Sequence, residues 1–341
     1  MVMVNPAQKL LQVLRGGRKY LLTTHDNPDP DALGSMVGLE YLIEKKFHKK
    51  ATIAYAGIVG RAENRAMVKW CKIGLLRLES LNLDQFDRVC LVDTQFNATN
   101  HSLTREKTPT VVVDHHRRIG GPPRPAYQDV RPHYGATSTI VTEYLIDAGL
   151  DMEKRVATAL FIGIKTDTHD LSRRAIPADV RAYGRLTFSV DRTALSEIEN
   201  PPLSRRFFRV LHRAFETTKI YGHVVVSELG VVDTPDVVAE MADFFLKLSG
   251  VTWSVAMGFY RKTLYLSIRT VDDSMDAADV ITRAVGERGS AGGHGLAAGG
   301  RIPAEKEQDL NVLVRITRAR LLSAICPSGK SVRPSYLIPR S

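Results

Sequence analysis

Long hydrophobic runs are missing from this sequence, and no apolar stretch approaches the roughly 20 residues that a bilayer-spanning helix needs. A secretory pattern is missing too. Residues 8–14 carry apolar positions, but Gln8, Lys9 and Gln12 interrupt them, so the stretch reads as a short amphipathic helix and a cytoplasmic location is expected. Cysteine is scarce. Cys71, Cys90 and Cys326 show no CxxC spacing, which argues against a structural zinc site and a disulfide framework and fits a reducing compartment. No internal repeat is found.

What is present suits a globular protein: 341 residues, 44% apolar and 25% charged, a length at which two domains are the better expectation. The net charge of +10 favours anionic partners such as nucleotides, nucleic acid or polyphosphate. Charge alone decides nothing, because the basic stretches 15–19, 45–50, 205–213 and 315–320 also read as solvated helix faces.

The first half alternates short β-rich runs with helical patterns, which predicts a doubly wound, mainly parallel α/β sheet. Tyr20 to Thr24 runs into His25, Ala51 to Ala56 forms a second strand, Val89 to Val92 runs into Asp93, and Val111 to Val113 runs into Asp114. In such sheets ligands bind beyond the carboxyl ends of the strands, so these termini can converge. A helix is expected over Asp31 to Lys46, with Leu33, Val37, Tyr41 and Leu42 on one side and Gly34 and Ser35 keeping its first turn small. Its N-terminus is expected to face the site. Helices over 137–149 and 152–165 follow, the second delivering Thr166 and Asp167. The polar, Arg-rich stretch 191–218 reads as a helical connection between a first domain, 1–190, and a smaller α/β domain of mixed sheet, 219–325. There the pattern gives a strand at 221–227, a helix at 235–248, a hairpin from 253–260 and 263–269, and helices at 277–285 and 304–322. Between those last helices the dense glycine stretch 289–300 would let backbone amides approach an anion closely. A tail, 326–341, is expected to be mobile.

Four segments carry the chemistry: His25 to Asp31, Val92-Asp93-Thr94, Asp114-His115-His116 and Lys165 to Thr168. Two divalent cations require carboxylates and imidazoles gathered from distant parts of a chain, and these segments supply both. In His25-x-x-x-Asp29-x-Asp31 an extended backbone points both aspartates to one side while Pro28 and Pro30 stiffen the loop. Asp93 is suited to bridge the ions, with His25 and Asp29 on the first and His115 and Asp167 on the second. His116 then faces the substrate phosphate, so Asp93 and His116 are the expected catalytic groups. Mixed nitrogen and oxygen ligands without thiolate favour manganese, or magnesium or iron, over zinc, with cobalt as a substitute. The reaction expected is in-line attack of water at phosphorus.

In that order the motifs resemble the DHH phosphoesterases, whose name comes from the triplet seen here as Asp114-His115-His116. The resemblance spans residues 18–325. It implies a C-terminal DHH-associated domain in which Ser267-Ile268-Arg269 and Gly292-Gly293-His294 grip the substrate end, with the active site in the cleft between domains. Ser290 and Ala291 stand where a longer glycine run is usual, and Thr168-His169-Asp170 is bulkier than the family pattern. Length and layout are most similar to the NrnA-like oligoribonuclease and pAp phosphatase branch. That branch implies manganese-dependent hydrolysis of very short RNA, of linear dinucleotides such as pApA and pGpG, or of pAp, by a chain that needs no membrane and whose assembly to consider is a homodimer. The alternatives are a cyclic dinucleotide phosphodiesterase, a polyphosphatase or pyrophosphatase, and a nucleotide-binding regulatory module without turnover.

Overall fold

The runs that end at His25, Asp93 and Asp114 are neighbouring strands of one sheet in the computed structural model, which describes residues 5–304, 310–326 and 333–338. The strands are β1 (Tyr20–Thr23), β2 (Ala51–Tyr55), β3 (Leu75–Arg77), β4 (Arg88–Val92), β5 (Val111–Asp114) and β6 (Tyr127–Val130). They pair in parallel in the order β3-β2-β1-β4-β5-β6. The order therefore reverses between β1 and β4, the point at which an open α/β sheet leaves a crevice beyond its strand ends. His25 follows β1 and Asp93 follows β4. The edge strands β3 and β6 escape the sequence pattern because they are short and only partly buried.

Among the described residues, seven α-helices belong to this unit: α1 (Pro6–Leu14), α2 (Pro30–Phe47), α3 (Ala62–Trp70), α4 (Thr137–Asp147), α5 (Lys154–Asp167), α6 (Pro177–Thr187) and α7 (Arg192–Glu199). All of them contribute to the core on one face of the sheet, where Leu22, Ile53, Cys90, Val92, Val111 and Val113 point. The opposite face, carrying Leu21, Ala54, Leu91 and Val112, is closed by short 3-10 turns and loops through Leu78, Phe86, Phe96 and Leu103. The connections leaving β4 and β5 are thus irregular where the alternating pattern led us to expect helices.

At the centre of the helical face, α2 is buried almost all round instead of along one side, with Met36, Leu39 and Ile43 as covered as Leu33 and Leu42. Gly34 makes this possible. A Cβ there would lie 2.6 Å from the backbone oxygen of Ala159, so α5 can approach α2 only because the side chain is missing. The helix starts at Asp29, whose carboxylate accepts the Ala32 N–H at 3.0 Å, with Pro30 at the first helical position.

The chain divides into two compact units, Met1–Pro201 and Pro202–Ser341. The stretch 191–218, read as one connection, is split between them: Ala194 and Ile198 of α7 are buried in the first, while α8 (Arg205–Thr217) belongs to the second. In the second unit follow β7 (Lys219–Tyr221), β8 (Val224–Val231), α9 (Asp236–Phe245), β9 (Trp253–Tyr260), β10 (Thr263–Thr270), α10 (Ala277–Val285), β11 (Ser290–His294), β12 (Ala297–Pro303), α11 (Leu310–Ile325) and β13 (Ser335–Tyr336). They form a mixed sheet, β11-β12-β10-β9-β8-β7-β13, in which only β8 and β9 pair in parallel. Alternation sets its two cores: Trp253, Val255, Leu264 and Leu266 face α10 and α11, and Val225 and Ala256 face α8 and α9.

Two expectations change here. The glycine stretch is not an open loop but an edge hairpin, because Gly292 and Gly293 pair with Gly299 and Ala298. Part of the expected tail is ordered as well, since Ser335 and Tyr336 pair with the otherwise open edge of β7. Residues 305–309, at the start of the helix expected over 304–322, and 327–332 lie outside the described residues. Among the described residues no helix is long and apolar enough to cross a membrane.

Candidate metal centre

The four segments meet beyond the carboxyl ends of β1, β4 and β5. Asp93 sits in the turn after β4 with φ of 57°, a left-handed conformation that aspartate tolerates better than most residues, and its carboxylate is buried. Around it three sets of side chains offer ligand atoms within 4.8 Å of one another: His25, Asp29 and Asp93; Asp31, His115 and Asp167; and Asp93, His115 and His116. Asp93 belongs to two of them. His25 Nε2 lies 3.4 Å from Asp93 Oδ2 and 3.8 Å from Asp29 Oδ2. His115 Nε2 lies 3.2 Å from Asp167 Oδ2, 3.6 Å from Asp93 Oδ1 and 3.9 Å from Asp31 Oδ2. All six residues read from the sequence as ligands are therefore brought together.

Each imidazole is oriented from behind. His25 Nδ1 is 3.0 Å from the carbonyl of Asp26, and His115 Nδ1 is 3.1 Å from the carbonyl of Tyr134. A ring that donates from Nδ1 to a carbonyl presents the lone pair of Nε2 on its other side, the arrangement of metal-binding histidines. For His115 that Nε2 is buried and makes no hydrogen bond. A buried acceptor facing three carboxylates is unsatisfied without a cation or a proton between them, so the donor set fits a divalent metal.

The charges agree. Burial works against charge on His25 and His115, yet the adjoining carboxylates of Asp29 and Asp93 on one, and of Asp167, Asp93 and Asp31 on the other, outweigh it and hold both imidazoles well above their ordinary value. Asp31 is pushed well above the usual carboxylate range by burial first, with the Asp93 and Asp167 carboxylates adding to it. Burial likewise raises Asp167. Carboxylates packed this closely repel, and a positive ion relieves them more completely than shared protons do.

The residues that hold the ligands were not legible beforehand. Asp31 accepts the N–H groups of Thr137 at 2.6 Å and Ser138 at 2.7 Å, so the start of α4 faces the site beside that of α2, which carries Asp29 and Asp31. The start of α2 is occupied by its own cap, Asp29. Thr137 also donates its hydroxyl to Asp93 Oδ1 at 2.9 Å. Asp179, fully buried, accepts from Ile176 N, Gly135 N and Thr139 Oγ1 at 2.8, 3.0 and 2.6 Å and so ties the start of α6 to that of α4. Their only signal was a run of small hydroxyl residues opening a helix.

His116 differs from its neighbour. Its Nδ1 lies 2.8 Å from Asp114 Oδ1, closer than the 3.8 Å to Asp93 Oδ1. Burial disfavours charge on this ring, but the bond to Asp114 outweighs it and raises the imidazole above its ordinary value. Asp114 is completely buried and is itself held by Gln95 Nε2 at 2.6 Å. The first residue of the name-giving triplet therefore orients the third.

Behind Tyr134 lies a charged network. Arg131 donates to Asp129 at 2.9 and 2.7 Å and to Glu143 at 2.5 Å, and also reaches the Tyr134 hydroxyl at 3.0 Å. Burial alone would raise the Asp129 carboxyl; the Arg131 and Tyr144 bonds reverse this and hold it below the usual carboxylate range. A carboxyl lowered on folding adds stability above its unfolded value, and that contribution disappears as the pH falls through the folded value. Asp129→Asn is expected to destabilise the protein by about 1.5–3 kcal/mol at pH 7, with the gap to the parent closing in acid, as denaturant melts at pH 7 and pH 3 will measure.

In the second unit Arg269 donates Nε to Asp243 at 2.5 Å and Nη1 to Ser267 Oγ and the Ile268 carbonyl, both at 2.9 Å. His294, Ala297 and Arg269 occupy one cross-strand row of β11, β12 and β10. The side chain of His294 lies outside the described residues. Gly293, with φ of 151°, admits no Cβ, which would fall 2.5 Å from the Ala297 oxygen, whereas at Gly292 nothing lies within 4 Å.

The DHH family, N-terminal domain, matches residues 19–164, and the DHHA1 domain matches residues 222–316. An uncharacterized protein of Methanocaldococcus jannaschii is 32% identical over 314 residues, which cover 89% of this chain and 64% of that protein, so the chain spans somewhat less than two thirds of its relative. A probable manganese-dependent inorganic pyrophosphatase of Lactobacillus helveticus is 27% identical over 250 residues, covering 67% of this chain and 75% of the relative. Among solved structures, an exopolyphosphatase-related protein from Bacteroides fragilis superposes with a TM-score of 0.73 at 17% identity, covering 95% of this chain and 99% of that one, a likeness of fold.

Proposed function

Because the chain belongs to the DHH family and carries a C-terminal DHHA1 domain, we propose that it is a phosphoester hydrolase dependent on two divalent cations, most suitably manganese. The observation that carries this reading is Asp93, a buried carboxylate 3.4 Å from His25 Nε2 and 3.6 Å from His115 Nε2, one imidazole of each proposed ligand set. Bound there, divalent cations supply an activated water and neutralise charge during in-line displacement at phosphorus. The chain's own groups do the rest. His25, Asp29 and Asp93 form one ligand set and Asp31, Asp93, His115 and Asp167 the other. His116, steered by Asp114, donates a hydrogen bond to the phosphoryl oxygen and helps the leaving group depart.

As substrate we propose a linear dinucleotide or a very short RNA, cleaved to mononucleotides, with pAp as a second substrate. Arg269, Gly292, Gly293 and His294 are the proposed substrate-binding positions of the second unit. The similarity of the two-domain layout to the short-RNA branch supports this choice. Inorganic pyrophosphate or polyphosphate is the second reading, favoured by the likeness to the pyrophosphatase of Lactobacillus helveticus.

A manganese-supplemented screen of pApA, pGpG, pAp, cyclic dinucleotides, longer RNA, pyrophosphate and polyphosphate, read by product chromatography, separates them. Fastest turnover is expected on the linear dinucleotides. Faster turnover of pyrophosphate or polyphosphate would replace the first reading by the second, and nucleotide binding without turnover under any divalent metal would overturn both.

A further inference from the structure

The chain leaves the last residue of α5, Asp167, in an unusual way. Thr168 has φ of −90°, and the next three residues, His169, Asp170 and Leu171, have φ of 47°, 60° and 64°. Left-handed residues without a glycine are uncommon singly and are strained in succession, so a run of three persists only where other contacts hold it.

Those contacts converge on Asp170. Its carboxylate accepts Lys165 Nζ at 2.7 Å and the Tyr183 hydroxyl at 2.5 Å, and its N–H donates to the Lys165 carbonyl at 2.7 Å. Lys165 lies in the same last turn of α5 as Asp167 and also pairs with Glu199 of α7 at 3.2 Å. Tyr183 belongs to α6, and its ring packs 4.3 Å from that of Phe161 in α5. Thr168 closes the turn from within: its hydroxyl donates to the Ile164 carbonyl and accepts the Leu171 N–H. One carboxylate thus fastens the end of α5 to a neighbouring helix and to its own last turn.

We propose that Asp170 is a positioning residue, locking a strained left-handed turn that aims Asp167 at His115 and so sets the affinity for the cation between them. This rests on the reading of Asp167 as a ligand. Without the lock the run relaxes toward right-handed values, Thr168 lets go of the helix end, and the Asp167 carboxylate loses its direction. Removing groups that orient a ligand typically weakens metal binding by about 10–100-fold.

The test is manganese titration of the full chain, followed by electron paramagnetic resonance of free Mn2+ alongside thermal melting without added metal. In Asp170→Ala one of two bound ions is expected to weaken by about 10–100-fold while the other changes by less than about threefold. Asp170→Asn, which tolerates the left-handed backbone and still accepts from Tyr183, is expected to recover most of the affinity. Tyr183→Phe keeps the ring on Phe161 and carries the test should Asp170→Ala fail to fold; about a tenfold weakening is expected. Wild-type binding in Asp170→Ala or Tyr183→Phe, together with weakened binding in Asp167→Asn, would overturn the lock and leave the metal centre standing. Unchanged binding in Asp167→Asn would overturn the ligand reading and the lock with it.

Discussion

Asp93→Asn is expected to lower metal-stimulated phosphoester hydrolysis by at least about a thousandfold, equivalent to ~4 kcal/mol of lost transition-state stabilisation. The substitution isolates the charge. Asparagine tolerates the left-handed backbone at φ of 57° and still accepts the Thr137 hydroxyl, so the turn after β4 has no reason to change. What disappears is the negative charge common to the two ligand sets, and with it the means of holding two cations side by side. Initial rates with saturating manganese, set against circular dichroism melts, will check this. A rate within tenfold of the parent in a folded Asp93→Asn variant contradicts the assignment.

Gly34→Ala is expected to have the largest effect on stability among single-methyl changes. Alanine is the better helix former by about 1 kcal/mol, so propensity alone predicts a gain. Packing predicts the reverse. The added carbon would lie 2.6 Å from the Ala159 backbone oxygen and 2.9 Å from Ser138 Oγ, and a helix backbone cannot swing aside as a side chain can. Moving α5 away from α2 opens a core that has no other slack, and overpacking of this kind costs about 1–3 kcal/mol, occasionally more. For a unit of this size each kcal/mol lowers the melting temperature by about 2–4 °C. The contact with Ser138 Oγ also presses on the start of α4, which holds Asp31 through the Ser138 N–H, so manganese affinity is expected to fall too. A melting temperature at or above that of the parent would show that the helices are not in this contact.

How far the sequence was legible follows from which forces leave a pattern in it. The ligands were readable because each sits at the end of a hydrophobic run, where burial stops and a polar side chain must serve either a cap or a site. His25, Asp93 and His115 announce themselves in that way. Their supports do not. Thr137, Ser138, Gln95 and Tyr134 act through hydrogen bonds to residues far away in the chain, and no periodicity marks such partners. The one-sided placement of helices was hidden for a related reason, because the segment 95–110 closes its face of the sheet with Phe96 and Leu103 in irregular conformations. Gly292 and Gly293 read as a loop since glycine has low strand propensity, yet the open edge of β12 pairs with them. In α2 the expected one-sided stripe was the visible half of a helix buried by α4 and α5 together. Gly34 and Ser35 were the sign of that second contact.

If two cations bind, Asp93 would be held in common by both, and anomalous scattering from crystals grown with manganese will show whether it is. Two manganese peaks are expected, one among His25, Asp29 and Asp93 and the other among Asp31, Asp93, His115 and Asp167, with Asp93 within coordination distance of both. No peak at these residues, or a single ion that Asp93 does not touch, would contradict it.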